Sequence, residues 1–148
     1  RRYEIRYSLR ASVTTIKELG MKLRIKANSL RLRLTRSEVA RLGVGEPVEE
    51  ATEFSANQVL RYRIQPGEGP EQLQASFESG LALVVVSADR LRHWVSAGEV
   101  GIYGASAALE IAIEKDFRCL TRPEERFDPD VYPHPDADLE ECRTDRDP

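Results

Sequence analysis

The stretch of this 148-residue chain best suited to chemistry is MKLRIKANSLRLRL, Met21 to Leu34, in which Lys22, Arg24, Lys26, Arg31 and Arg33 alternate with apolar residues. A period of two sends successive side chains to opposite faces of a strand. Met21, Leu23 and Ile25 then form an apolar face that Leu30, Leu32 and Leu34 resume, while the five cations share the other. Ala27-Asn28-Ser29 supplies the turn, because Asn and Ser side chains bond back to nearby backbone. Cations at this spacing can meet successive anionic groups, in contacts that weaken steeply with salt. Lys22, Arg24, Lys26, Asn28, Arg31 and Arg33 are therefore the candidate anion-binding or nucleic-acid-binding residues. A solvated strand face whose like charges discourage edge pairing has the same pattern.

Glu114, Lys115 and Asp116 are the densest charged cluster beside a strand end, where barrels hold ligands, and form a candidate ligand site. A charged turn that ends a strand would look the same. No nucleophile, base and orienting group can be paired, so catalytic residues stay unassigned. There is no Gly-rich phosphate loop, and no cofactor is indicated. Cys119, His134 and Cys142 match no compact zinc spacing, and His93 falls on the polar side of a helix, so no metal is expected.

Composition narrows the class. Hydrophobic residues make up 41% and charged residues 32%, which suits one soluble fold unit. The longest purely apolar run, Leu81 to Val86, is too short to span a bilayer and reads as a strand buried on both faces. The net charge of −3 hides an asymmetry: residues 1–45 hold 12 Lys/Arg against 3 Asp/Glu, and residues 46–148 hold 10 against 22. The two ends should attract each other or attract different partners. Two cysteines without a signal-like apolar segment point to a reducing, cytoplasmic setting.

Along the chain, residues 1–20 read as an extension upstream of a domain that begins at Met21, with a short alternating stretch at Tyr3, Ile5, Tyr7 and Leu9. Thr35-Arg36-Ser37-Glu38 fits a capping box, with Gly43 placed to end the helix. Val48 to Phe54 and Val59 to Ile64 are strands, and Gln65 to Pro70 is a Pro/Gly break at the midpoint. The order then returns. Leu73 to Glu78 and Leu81 to Val86 are strands. Ser87 caps a helix with a Leu91, Trp94, Val95 stripe, and strands follow at Gly98 to Tyr103 and Leu109 to Lys115. With an offset of 52, Leu32, Leu34, Thr35 and Val39 fall on Val84, Val86, Ser87 and Leu91, so an internal duplication is the economical reading. The single duplicated domain spans 21–120, in halves 21–65 and 71–120. Residues 121–148, with ten Asp/Glu and five Pro, read as an acidic, extended tail.

The first half, MKLRIKANSLRLRLTRSEVARLGVGEPVEE, resembles the AbrB/MazE-type swapped-hairpin DNA-binding domain. The resemblance lies in the basic strand Lys22 to Lys26, the turn Asn28-Ser29, the strand Leu30 to Leu34, the helix Val39 to Gly43, and Gly45-Glu46-Pro47-Val48. It implies two interleaved units forming one barrel that binds duplex DNA through basic strands and turns. A single-chain version looks like the double-psi or cradle-loop barrels, which include enzymes and adaptors as well. Two features depart from the pattern: the helix-opening Pro is absent, and Leu81 to Val86 carries no charge. The whole chain from Met21, including Glu114 to Leu120 and Tyr132-Pro133-His134-Pro135, also resembles an uncharacterised bacterial family of small proteins, which implies a bacterial cytoplasmic setting.

The expectation is thus an α+β, mostly antiparallel β protein. Duplicated β-β-α-β-β halves form a small swapped-hairpin or double-psi-like barrel with two short helices. Its expected role is that of a binding module with an anionic partner, nucleic acid or an acidic protein. The alternatives are a protein-interaction or assembly subunit without nucleic-acid binding, and an enzyme on a barrel scaffold.

Overall fold

The computed structural model describes residues 20–69, 72–117, 130 and 132. Its elements are β1 (Lys22–Lys26), β2 (Ser29–Leu34), α1 (Arg36–Gly43), β3 (Val48–Ser55), β4 (Gln58–Gly67), β5 (Leu73–Glu78), β6 (Leu81–Ser87), α2 (Ala88–Ser96), β7 (Gly101–Ser106) and β8 (Leu109–Lys115). The strands form two four-stranded sheets, ordered β1-β2-β8-β7 and β3-β4-β6-β5. Each is two antiparallel hairpins joined through a central parallel pair, β2 with β8 and β4 with β6. The hairpins in each sheet come from opposite halves of the chain, so neither half completes a sheet alone.

Register explains why this exchange is stable. One inward row runs Leu23, Leu32, Ile113, Ile102 across the first sheet, and another runs Ala75, Val84, Ile64, Val48 across the second. Six of these eight side chains are buried, and Leu23 and Ala75 pack against them. Each Val, Leu or Ile side chain among them contributes roughly 1.5–3 kcal/mol when fully buried. Leu34 and Val86 of the sheets join Val39 and Leu42 of α1 and Leu91 and Trp94 of α2 in the same core. The alternation in β1 runs past the core at its far end, where Ile25 is 63% exposed.

Several expectations need correction. The strands make two open sheets, not a closed barrel, because ladder pairing stops at the edge strands. One corner is filled by Leu73, whose side chain lies where a Cβ on Gly104 would sit. There the Ala75 amide donates to Ser106 Oγ at 2.9 Å, and at another corner Tyr62 OH donates to the Met21 carbonyl at 3.1 Å. The Gln65 to Pro70 break is shorter than its composition suggests. β4 runs through Gln65, Pro66 and Gly67 in parallel register with β6, where β3 pairing has already ended and a residue lacking N–H is tolerated. Gly43 is the last residue of α1, not the left-handed residue beyond it. It packs against Val95 of α2, while Gly45, at φ 90°, takes the left-handed position. In β6 only Val84 and Val86 are buried and the other face is half-covered, so the strand is not buried on both faces. The seventh strand starts at Gly101, not Gly98.

Replacing Ile113 by Ala should cost roughly 2–5 kcal/mol, since it removes the centre of a buried row. Ile25→Ala, on the same face but outside the core, should stay within about 0.5 kcal/mol. Chemical denaturation of the two variants beside the parent measures both; equal losses would contradict this placement of the core.

Candidate functional site

The outer face of the first sheet carries the basic residues. Cross-strand register places Lys22 opposite Arg33, Arg24 opposite Arg31, and Lys26 opposite Ser29. Like charges directly opposite each other are destabilising. The parallel neighbour β8 offsets part of this by setting Glu114 beside Arg33 and Glu110 beside Ser29. Glu114 Oε2 lies 3.4 Å from Arg33 Nε and 3.7 Å from Arg31 Nε, and its other oxygen accepts from Tyr103 OH at 3.2 Å. Burial, and then the Glu114 charge, raise the Tyr103 hydroxyl above its ordinary pKa. Lys22 pairs with the buried carboxylate of Asp116 just past the end of β8. Arg24 and Lys26 have no carboxylate partner among the described residues, so the unmatched charge lies toward the β1–β2 turn. Asn28 holds that turn against the β7–β8 turn, its side-chain amide donating to the Ala108 carbonyl at 2.6 Å.

Glu114, Lys115 and Asp116 do not converge. Glu114 and Asp116 serve the basic face, whereas Lys115 points inward and is buried. Its ammonium donates to the Trp94 and Ala97 carbonyls at 3.2 and 3.1 Å, closing the C-terminal end of α2, and lies over the Trp94 and Tyr132 rings. Burial lowers the pKa of Lys115, and Glu99 partly opposes this. Arg61 and Arg63 belong to β4 in the other sheet and do not extend the patch, Arg63 being paired with Glu49. His93 lies beside Glu99 at 3.2 Å on α2. Among the described residues no three His, Cys, Asp or Glu side chains gather to hold a metal ion; Cys119, His134 and Cys142 lie outside them. No helix among the described residues is long and apolar enough to cross a membrane.

Asp130 and Tyr132 fall within the segment read from sequence as a tail, yet both join the domain. A helix N-terminus leaves four amides without intrahelical partners. In α1 those of Thr35 and Glu38 are met by the capping box, with Glu38 Oε2 accepting from Thr35 at 2.9 Å and Thr35 Oγ1 accepting from Glu38. The other two are met from far along the chain: Arg36 N donates to the Asp130 carbonyl at 2.8 Å and Ser37 N to Asp130 Oδ1 at 3.0 Å. Tyr132 pairs with Phe117 in an isolated bridge, donates its amide to the Asp116 carbonyl at 2.8 Å, and packs its ring on Phe117 and Arg36. The sequence signal for this was faint: Tyr132 is an aromatic residue amid acidic and proline residues.

A family model described as a family of unknown function (DUF7009) matches residues 21–136, a span that begins at the residue entering β1 and takes in Asp130 and Tyr132. The chain belongs to this family. No curated protein and no solved structure matches it. The DUF7009 match thus includes the helix-capping segment and the basic hairpin together.

Burial alone would raise the Asp130 carboxyl, but hydrogen bonds from the Ser37 hydroxyl and amide, then Thr35 and the Arg36 charge, hold it below the usual carboxylate range. A depressed folded-state pKa contributes stability that is complete above the unfolded value, near ~3.9, and is lost as pH falls through the folded value. The stability gap between the parent and Asp130→Asn should therefore be constant above about pH 5 and close below about pH 4. Thermal melts across that range test it; a gap that does not change with pH would remove the carboxylate from this role.

Proposed function

We propose that this chain is a binding module whose working surface is the outer face of the β1–β2 hairpin, and that its partner is an acidic protein segment. The supporting observation is the uneven charge matching on that face: Lys22, Arg31 and Arg33 have carboxylate neighbours, while Arg24 and Lys26 at the turn end have none among the described residues. Glu110, Glu114 and Asp116 are interleaved with the cations, which disfavours a continuous phosphate track and suits a partner whose own charges are spaced. β1 is an edge strand among the described residues, and its side chains at Arg24, Ile25 and Lys26 are exposed. Edge strands with free backbone groups accept extended segments.

Duplex nucleic acid is the second reading, supported by the resemblance of residues 21–50 to the AbrB/MazE-type domain and by the exchange of hairpins between halves. Duplication of one ancestral half fits that exchange too. A symmetric grip would need a second basic hairpin, but the positions equivalent to Lys22, Arg24, Lys26, Arg31 and Arg33 are Gln74, Ser76, Glu78, Leu83 and Val85. A bacterial cytoplasmic setting belongs to the same proposal.

The test is binding of a poly-Glu peptide and of a DNA duplex across a salt series, beside a variant with Arg24 and Lys26 changed to Gln. Peptide binding should weaken with salt, and the variant should bind roughly threefold to tenfold more weakly, about 1 kcal/mol for two exposed cations together. Preference for duplex would move the assignment to nucleic acid, and no binding of either at low salt would overturn it.

A further inference from the structure

We propose that the acidic segment after Tyr132 is the resident occupant of this basic face, a tethered competitor that an external acidic partner must displace; the competition rests on the docking role proposed above. Three observations carry the assignment. Tyr132 fixes where the segment starts, because its amide bonds the carbonyl of Asp116, whose carboxylate pairs with Lys22 at the near end of the face. Charge is complementary: residues 133–148 hold Asp136, Asp138, Glu140, Glu141, Asp145 and Asp147 against Arg143 and Arg146, while Arg24 and Lys26 lack carboxylate partners among the described residues. The length also suffices. Lys22 to Lys26 spans ~13 Å of strand, and a flexible chain of sixteen residues has a root-mean-square reach of roughly 20–24 Å.

Single exposed ion pairs are weak, so a free peptide of this composition would bind poorly. Tethering changes the balance, since a short linker raises the effective concentration to the order of millimolar. Against an intrinsic dissociation constant on the order of 0.1 mM, occupancy would weaken an external ligand by about tenfold. The segment is poor in apolar anchors, Ala137 and Leu139 apart. A contact of this kind is displaceable by salt or by a partner that adds apolar area.

Cys142 lies within the segment and offers a labelling position in the full chain. With Cys119→Ser, a nitroxide on Cys142 should broaden the backbone amide signals of β1 and β2, and spare the equivalent β5 and β6 positions. The broadening should fade at high salt. Independently of labelling, a chain with the six tail acids changed to Asn or Gln should shift the amide signals of Arg24 and Arg31 and bind poly-Glu peptide about tenfold more tightly than the parent. Unchanged signals at β1 and β2 in both experiments would overturn the tail contact, whatever the peptide does. Broadening combined with no peptide bound by either chain would keep the tail on the face and overturn the competition instead.

Discussion

Parallel pairing of β2 with β8 joins a strand from the start of the fold to the strand that ends it, and the rest of the molecule follows from that ladder. On its inner side it brings Leu32 against Ile113, the middle of a buried row. On its outer side the same register brings Glu114 to Arg33. Just beyond the ladder, the Asp116 amide bonds the Leu34 carbonyl at 2.8 Å, which sets the Asp116 carboxylate beside Lys22. A slip of one residue would turn every side chain of β8 to the wrong face, exposing Ile111 and Ile113 and burying carboxylates. Core and surface charge are therefore specified by one pairing. The β4 and β6 ladder plays the equivalent part in the second sheet.

Most of the local structure was legible because it depends on neighbours in sequence. Alternation located β1, β2 and β8, and the Thr35 and Ser87 caps located both helix starts. What could not be read is decided by distant contacts. Gly43 looked like a helix terminator because glycine favours that position, but its smallness is used against Val95 of the other helix. Pro66 looked like a break because it lacks a donor, yet it lies where β4 has one partner strand, so the missing N–H leaves the sheet intact. The barrel expectation failed for a related reason: local patterns give strands and faces, but whether edges meet depends on what fills the corners, here Leu73 against Gly104.

The candidate site was legible in part for the same reason. The five cations were visible as a period-two pattern, and their common face follows from strand geometry alone. Their matching carboxylates were not, because Glu114 and Asp116 are brought in through a parallel ladder that no short-range pattern reveals. Lys115 was misleading: adjacency to two surface carboxylates suggested one cluster, but strand alternation sends it inward, to the Trp94 and Ala97 carbonyls. Asp130 was hidden most deeply, since its role exists only because α1 leaves two amides that its own capping box does not satisfy.

These placements bear on how the surface is tuned. Setting Arg24 opposite Arg31 and Lys22 opposite Arg33 puts repulsion into the hairpin. Glu114 and Asp116 offset it at Arg31, Arg33 and Lys22, whereas Arg24 and Lys26 have no carboxylate at ion-pair distance among the described residues. Ala112, opposite Arg31, is a position where a carboxylate would relieve that repulsion, and it carries none. The same alanine is the register partner of Tyr103 across β7 and β8. An anion placed over Arg24 and Arg31 would partly relieve the repulsion. On the binding role proposed above, affinity and local stability would be coupled on this face, because an anion that binds only the folded hairpin stabilises it.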